Sequence, residues 1–282
     1  MKILILGASG QLGQCIKHVA QGRQVQGLFF PDRASANVLD PVRLKDLFNE
    51  IQPDYVVNCA AYTAVDKAED DLNLCRTVNS DGAAHVALLC KEFNCKLVHV
   101  STDFVFKGDK PELLKEDDVA DPINAYGLTK LEGEHQIQSI LDRHYIIRTS
   151  WLYSEFANNF VKTMLKLANG REQLSVIADQ IGTPTYAIDL AGAILDIVQS
   201  EKTSYGVYHY SNEGVASWYD FAVAVFELSN TDINVLPIGT KDYPTRAIRP
   251  KFSVMDKSKI KTTFGLHIPH WRASLARCLE KL

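Results

Sequence analysis

Residues 2–6 form a short apolar run, unbroken from Ile3 to Leu6, that stops at Gly7, and Gly10 and Gly13 follow at intervals of three. Leu12, Ile16 and Val19 then recur at helical spacing. An apolar run without polar alternation is the mark of a strand buried on both faces, and such strands belong to parallel sheets covered by helices. Glycines between strand and helix permit a tight turn and close backbone approach, so the free N–H groups opening the helix can meet an anion. This strand, turn and helix point to an α/β fold that begins with a candidate pyrophosphate site made by Gly7, Gly10, Gln11, Leu12 and Gly13. The spacing G-x-x-G-x-x-G is one residue longer than the G-x-G-x-x-G dinucleotide fingerprint, and its place between a buried strand and a helix favours the same role.

The alternation continues down the chain. Strands are predicted at 25–30, 55–60, 96–101 and 145–151, with helices at 41–50, 72–93 and 126–141 between them. Strands separated by helices imply an open parallel sheet. The expected fold is α/β: a Rossmann-type doubly wound parallel sheet in residues 1–150, with a smaller C-terminal substrate-binding lobe mainly in 151–282. Later segments, about 174–200, are expected to complete the first domain, so the boundary interleaves. A strand is also predicted at 206–210.

Hydrophobic residues make up 46% and charged residues 23% of the 282, the balance of a globular chain rather than a disordered one. A formal net charge of -4 gives no basic field, which argues against a nucleic-acid partner. The N-terminal apolar stretch is too short for a signal peptide or membrane span, so a cytoplasmic protein with no membrane role is expected. Six cysteines are scattered without a Cys-x-x-Cys pair and read as buried reduced thiols.

Two further groups carry chemistry. Asp32 and Arg33 follow the second strand, where Asp would bind a ribose 2′-hydroxyl and Arg a 2′-phosphate, a mixed signal that leans to NADPH. Tyr126 and Lys130 lie four residues apart on one helix face, and Thr102 stands at the carboxyl end of a parallel strand, where ligands of such sheets bind. A nearby ammonium is expected to bring the phenol, normally near pKa 10, toward the working range. Tyr126 would then donate a proton to a carbonyl oxygen held by Thr102 while hydride reaches the carbon, with Lys130 also binding the nicotinamide ribose.

The segments GASGQLG, VVNCAAYTAVDKAE, STDFVF, NAYGLTKLEGE, IIRTSWLY, NNFVKTMLKLA, VIADQIGTPT and YPTRAIRP resemble the extended short-chain dehydrogenase/reductase family over nearly the whole chain. AYTAVDKAE and DQIGTPT are similar to its dTDP-4-dehydrorhamnose reductase branch in particular. The resemblance implies reduction of the 4-keto group of dTDP-4-dehydro-6-deoxy-L-mannose, a nucleotide sugar, by NADPH, with NADH as a second cofactor and a homodimer as a compatible assembly. It implies catalytic roles for Thr102, Tyr126 and Lys130, and cofactor contacts at Ala61, Tyr62 and Thr63, with Asp40 beside the adenine. Asp103 and Trp151 would touch the sugar, and Arg246, Arg249 and Lys251 the diphosphate or nucleotide.

Phe104 stands where the related 4,6-dehydratases resemble one another in carrying Glu after Thr-Asp, which argues against water elimination. Tyr62 replaces a His common in the family, and Cys15 an acidic residue. Some members are described with a divalent metal such as Mg2+; no His/Asp/Glu cluster here has ligand spacing, so no metal is assigned. The rivals are a reductase or epimerase of another nucleotide-activated keto sugar, a non-catalytic regulatory subunit resembling that of methionine adenosyltransferase, and a nucleotide-binding sensor.

Overall fold

The computed structural model describes residues 1–282. Its first half builds the sheet from β1 (Ile3–Leu6), α1 (Gln11–Gly22), β2 (Leu28–Phe29), α2 (Pro41–Ile51), β3 (Tyr55–Asn58), α3 (Val65–Asp70), α4 (Leu72–Arg76), α5 (Gly82–Glu92), β4 (Lys96–Thr102), α6 (Ala125–Ile140) and β5 (His144–Thr149). The second half contains β6 (Leu152–Tyr153), α7 (Phe160–Ala168), β7 (Gln173–Ile177), β8 (Ile181–Gly182), β9 (Thr185–Tyr186), α8 (Ala187–Gln199), β10 (Gly206–His209), β11 (Ala216–Ser217), α9 (Trp218–Leu228), β12 (Asn234–Ile238), α10 (Ser258–Phe264) and α11 (Trp271–Leu279).

Six strands form one sheet in the order β10-β5-β4-β3-β1-β2, every neighbouring pair parallel. The apolar run of β1 has its physical reason in two cores. Ile3 and Ile5 pack with α1 and α8 residues such as Ile16 and Ile194, whereas Leu4 and Leu6 pack with Leu44, Phe48 and Val86 on the opposite face. A third core, around Tyr153, Val176, Phe221 and Trp271, holds the second lobe together.

Three elements differ from expectation. The second strand shrinks to two residues because the chain turns through left-handed backbone at Gln24 (φ 54) and Gly27 (φ 82); at Gly27 a Cβ would stand 2.3 Å from the Met1 carbonyl oxygen. The predicted helix over 72–93 is divided by a turn of π-helix at Thr77–Asp81, a feature frequent at functional sites. The 174–200 segment also divides. β7 pairs with β12 in a separate two-stranded sheet and stays out of the main sheet, while α8 packs into the first core and β10, further along, supplies the sixth strand.

Candidate active site

All six strands of the main sheet end on one edge, which gathers the residues after β1, β3, β4 and β5. Gly7 has φ +73, and a Cβ there would lie 2.7 Å from the Ala60 nitrogen. At Gly13 a Cβ would lie 2.5 Å from the Gly7 carbonyl oxygen, so α1 closes tightly on the turn. Gly10 caps α1 without any side-chain partner, leaving its opening N–H groups to the site. Leu12 is buried in the first core, and Gln11 turns toward the second lobe, donating to the Leu152 carbonyl at 3.2 Å and accepting from Asn159 at 3.1 Å. What these two offer a phosphate is backbone.

A groove of about 510 Å³ opens beside this turn, lined in part by Ala8, Ser9, Lys17, His18, Phe30 and Asp32. Asp32 and Arg33 are exposed, and the Ser35 N–H at 2.8 Å from Asp32 Oδ1 holds that carboxyl below its ordinary range. Asp40, expected beside the adenine, accepts the Arg43 N–H at 3.0 Å and caps α2. Ala61, Tyr62 and Thr63 form the loop after β3. Its position is set by Asn79 in the π turn, whose side chain accepts from the Tyr62 N–H at 2.8 Å and donates to the Tyr62 carbonyl at 3.2 Å.

Thr102 ends β4, donating to Asp103 Oδ1 at 3.1 Å and accepting the Phe104 N–H at 3.2 Å. Asn124 caps α6 by accepting the Gly127 N–H at 2.8 Å, which sets the turn bearing Tyr126. Gly127 packs so close to Phe104 that a Cβ would lie 2.1 Å from its carbonyl oxygen. The Tyr126 ring meets Phe104 edge-on at 5.7 Å. Tyr126, Thr102 and Asp103 are thereby brought together.

The electrostatics correct one expectation. Burial raises the Tyr126 phenol, the Thr102 hydroxyl lowers it, and Asp103 and Cys75 raise it further. Lys130 does not draw it down, because its Nζ is turned to His99 Nε2 at 3.1 Å and to the Val100 carbonyl at 2.7 Å. Burial pushes Lys130 itself down to about 8 and Asp103 up to about 6. Asp103 Oδ2 is buried without a protein partner.

The substrate candidates separate. Trp151 takes left-handed backbone (φ 47) and stacks on Trp218 with centroids 3.5 Å apart, and a Cβ at Gly182 would lie 2.7 Å from its ring. Arg249 forms a two-pronged pair with Asp66 at 2.6 and 3.1 Å, and Arg246 pairs with Asp70. Both arginines thus tie the 244–251 segment to α3, whereas the Lys251 side chain is exposed and makes no ion pair. No group of three or more His, Cys, Asp or Glu within the chain is placed to hold a metal ion, and the Cys15 thiol is buried.

Several residues of the site escaped sequence reasoning. Glu134 and Arg148 form a buried pair at 2.7 Å, and Ser101, next to Thr102, donates to Glu134 at 2.5 Å. Glu134 follows Lys130 by four positions and so lies on its helix face, a signal open to sequence reading. Asn58, His99 and Trp218 gave none, since nothing in their spacing ties them to the motif.

The family model of the RmlD substrate binding domain matches residues 1–282. The chain belongs to the RmlD family. Among RmlD relatives, a dTDP-4-dehydrorhamnose reductase of Aggregatibacter actinomycetemcomitans is 38% identical over 97% of each chain. The spore coat polysaccharide biosynthesis protein SpsK of Bacillus subtilis is 39% identical, covering 99% of this chain and 97% of its own length. A crystal structure of dTDP-4-dehydrorhamnose reductase from Bacillus anthracis in complex with NADP superimposes over 100% of both chains with a TM-score of 0.95 and 38% identity.

Proposed function

We propose that this RmlD-family chain reduces the 4-keto group of dTDP-4-dehydro-6-deoxy-L-mannose with NADPH, giving dTDP-L-rhamnose for cell-surface polysaccharide. The observation that carries the reading is the convergence of the glycine turn after β1, Thr102 at the end of β4 and Tyr126 at the start of α6 on one edge of the sheet. The relatives from Aggregatibacter actinomycetemcomitans and Bacillus anthracis, each matched over nearly its full length, are named for that reduction, and the second is in complex with NADP.

The Gly7–Gly13 turn fits a dinucleotide, since a Cβ at Gly7 would strike the Ala60 backbone and one at Gly13 the Gly7 carbonyl, so glycine lets the turn close tightly with its N–H groups toward the site. When bound, the nicotinamide supplies hydride to the keto carbon. Tyr126 supplies the proton to the oxygen that becomes the hydroxyl, and its burial keeps it a phenol, the form able to donate. Thr102 holds the same oxygen by hydrogen bond. Lys130, once protonated and turned from the Val100 carbonyl toward Tyr126, then stabilises the phenolate left behind. NADH is a second cofactor in this reading, because Asp32 lines the groove beside the turn and Arg33, the next residue, is exposed.

Asp103 and Trp151 would face the sugar. Arg246 and Arg249 reach a diphosphate only by leaving Asp70 and Asp66, which makes Lys251 the cation ready at that segment. The compartment assigned is cytoplasmic; no helix is long and apolar enough to cross a membrane.

The test follows NADPH absorbance with the purified protein and the keto sugar generated in place. Oxidation should require every component and yield dTDP-L-rhamnose. Tyr126→Phe should lower turnover by about 10²–10⁴-fold while NADPH binding persists. Unchanged turnover in that variant removes Tyr126 from the mechanism, and binding of NADPH without oxidation redirects the reading to another keto sugar or to the regulatory-subunit alternative.

A further inference from the structure

Behind Tyr126 lies a buried chain of polar contacts, and one end of it is fixed. The Ala60 N–H donates to Asn58 Oδ1 at 3.0 Å. A backbone N–H cannot reverse its role, so Asn58 presents its oxygen there and its NH2 group to His99, with Nδ2 3.2 Å from Nδ1. His99 Nδ1 therefore accepts and carries no proton. A neutral imidazole then holds its single proton on Nε2, and Nε2 lies 3.1 Å from Lys130 Nζ.

The contact at Lys130 follows from donor counting. An ammonium has three donors and no lone pair, so it would face Nε2–H donor to donor. The free amine has one lone pair for Nε2–H and two N–H bonds, one of which meets the Val100 carbonyl at 2.7 Å. Reversing the whole chain to suit an ammonium would turn the Asn58 NH2 onto the Ala60 N–H, two donors face to face.

We infer that His99 is a positioning residue that docks Lys130 as its free amine, and that proton uptake from solvent frees the resulting ammonium to turn toward Tyr126 and the open site. In the uptake the amine lone pair becomes the third N–H bond, and Nε2–H of His99 loses its acceptor. The catalytic meaning of this toggle rests on the proposed reduction; the protonation states do not.

The surroundings agree with a toggle. Lys130 faces Glu134 on its own helix, Cys59 after β3 and Cys75 on α4, and all three favour its charged form against burial. Glu134 is itself engaged by Arg148 and Ser101. His99 faces Lys130 and, from β5, His144; both add to the burial that holds it neutral. With Lys130 near 8, the ammonium predominates below that pH and the docked amine above it, so activity is lost as pH rises through this range.

The first measurement is the 15N spectrum of histidine-labelled wild-type protein without substrate at about pH 9, with His99→Gln used to assign the signal. An unprotonated Nδ1 and a protonated Nε2 are expected, together with a 13Cε signal of Lys130, assigned through Lys130→Met, that titrates well below the ordinary lysine range. The second is the pH profile of kcat/KM in His99→Gln, whose amide can turn its oxygen to the ammonium. Its alkaline limb should move up by about one pH unit. A His99 protonated on Nδ1, a Lys130 that titrates at the ordinary lysine value, or a folded His99→Gln variant with an unmoved limb overturns the inference. The spectra use no substrate, so they decide the docking even where the keto sugar proves to be the wrong one.

Discussion

Replacing Glu134 with Gln removes one charge from the pair that braces β4 and β5 beneath the site. Glu134 accepts from Arg148 Nε at 3.0 and 3.2 Å, from Nη2 at 2.7 Å and from Ser101 Oγ at 2.5 Å. The two side chains are only 1% and 6% exposed, so the guanidinium left behind has no water to turn to. Gln fills the same volume but sets an NH2 donor against donors. Breaking a buried pair in this way costs about 3–5 kcal/mol, a large fraction of the roughly 5–15 kcal/mol that holds a domain together. With a urea dependence of about 3 kcal/mol per molar, the unfolding midpoint should fall by about 1–1.7 M. The assay is equilibrium urea unfolding of wild type, Glu134→Gln, Arg148→Met and the double variant. The double variant should lose less than the sum of the singles by about 2 kcal/mol, since one unpaired charge, not two, is the main penalty. A loss below about 1 kcal/mol in Glu134→Gln, the range of exposed pairs, would refute the reasoning.

Other expectations follow from single contacts. Gly127→Ala would place a methyl 2.1 Å from the Phe104 carbonyl oxygen and force α6 from the strand end; overpacking of this kind costs about 1–3 kcal/mol, and turnover should fall while cofactor binding is kept, to be read by unfolding and steady-state kinetics. Asp103 is raised from 3.8 to about 6 in the folded protein. Its contribution to stability is thus fully present below about pH 3.8 and lost as pH rises through 6, leaving a penalty of about 3 kcal/mol near neutrality. Asp103→Asn should therefore gain stability relative to wild type as pH rises from about 4 to 7; a difference that is flat with pH would count against it.

Much of the fold was open to reading from local pattern. β1, the glycine turn and α1 declare themselves because burial on both faces, a left-handed turn residue and helical spacing each leave a mark within a few positions. Tyr126 and Lys130 were legible as a pair for the same reason, as one turn of helix places them on one face. The end of β4 located Thr102, because the carboxyl edge of a parallel sheet is where its ligands go.

What lay beyond the sequence depends on partners far along the chain. The six-stranded sheet takes its last strand from β10 and leaves β7 to β12, a choice between strands that look alike until the second lobe packs. Arg246 and Arg249 read as free cations, yet α3 brings Asp70 and Asp66 against them. Lys130 read as the cation beside Tyr126, and the fold instead sets its Nζ against His99, whose proton is placed by Asn58 and, behind it, by one backbone N–H of Ala60. Spacing along a helix or strand fixes which residues share a face, whereas the state of a buried charge depends on every donor and acceptor that packing brings around it. That is why the sequence determined the chemistry available to this protein, and the tertiary structure alone decided the state in which it is held.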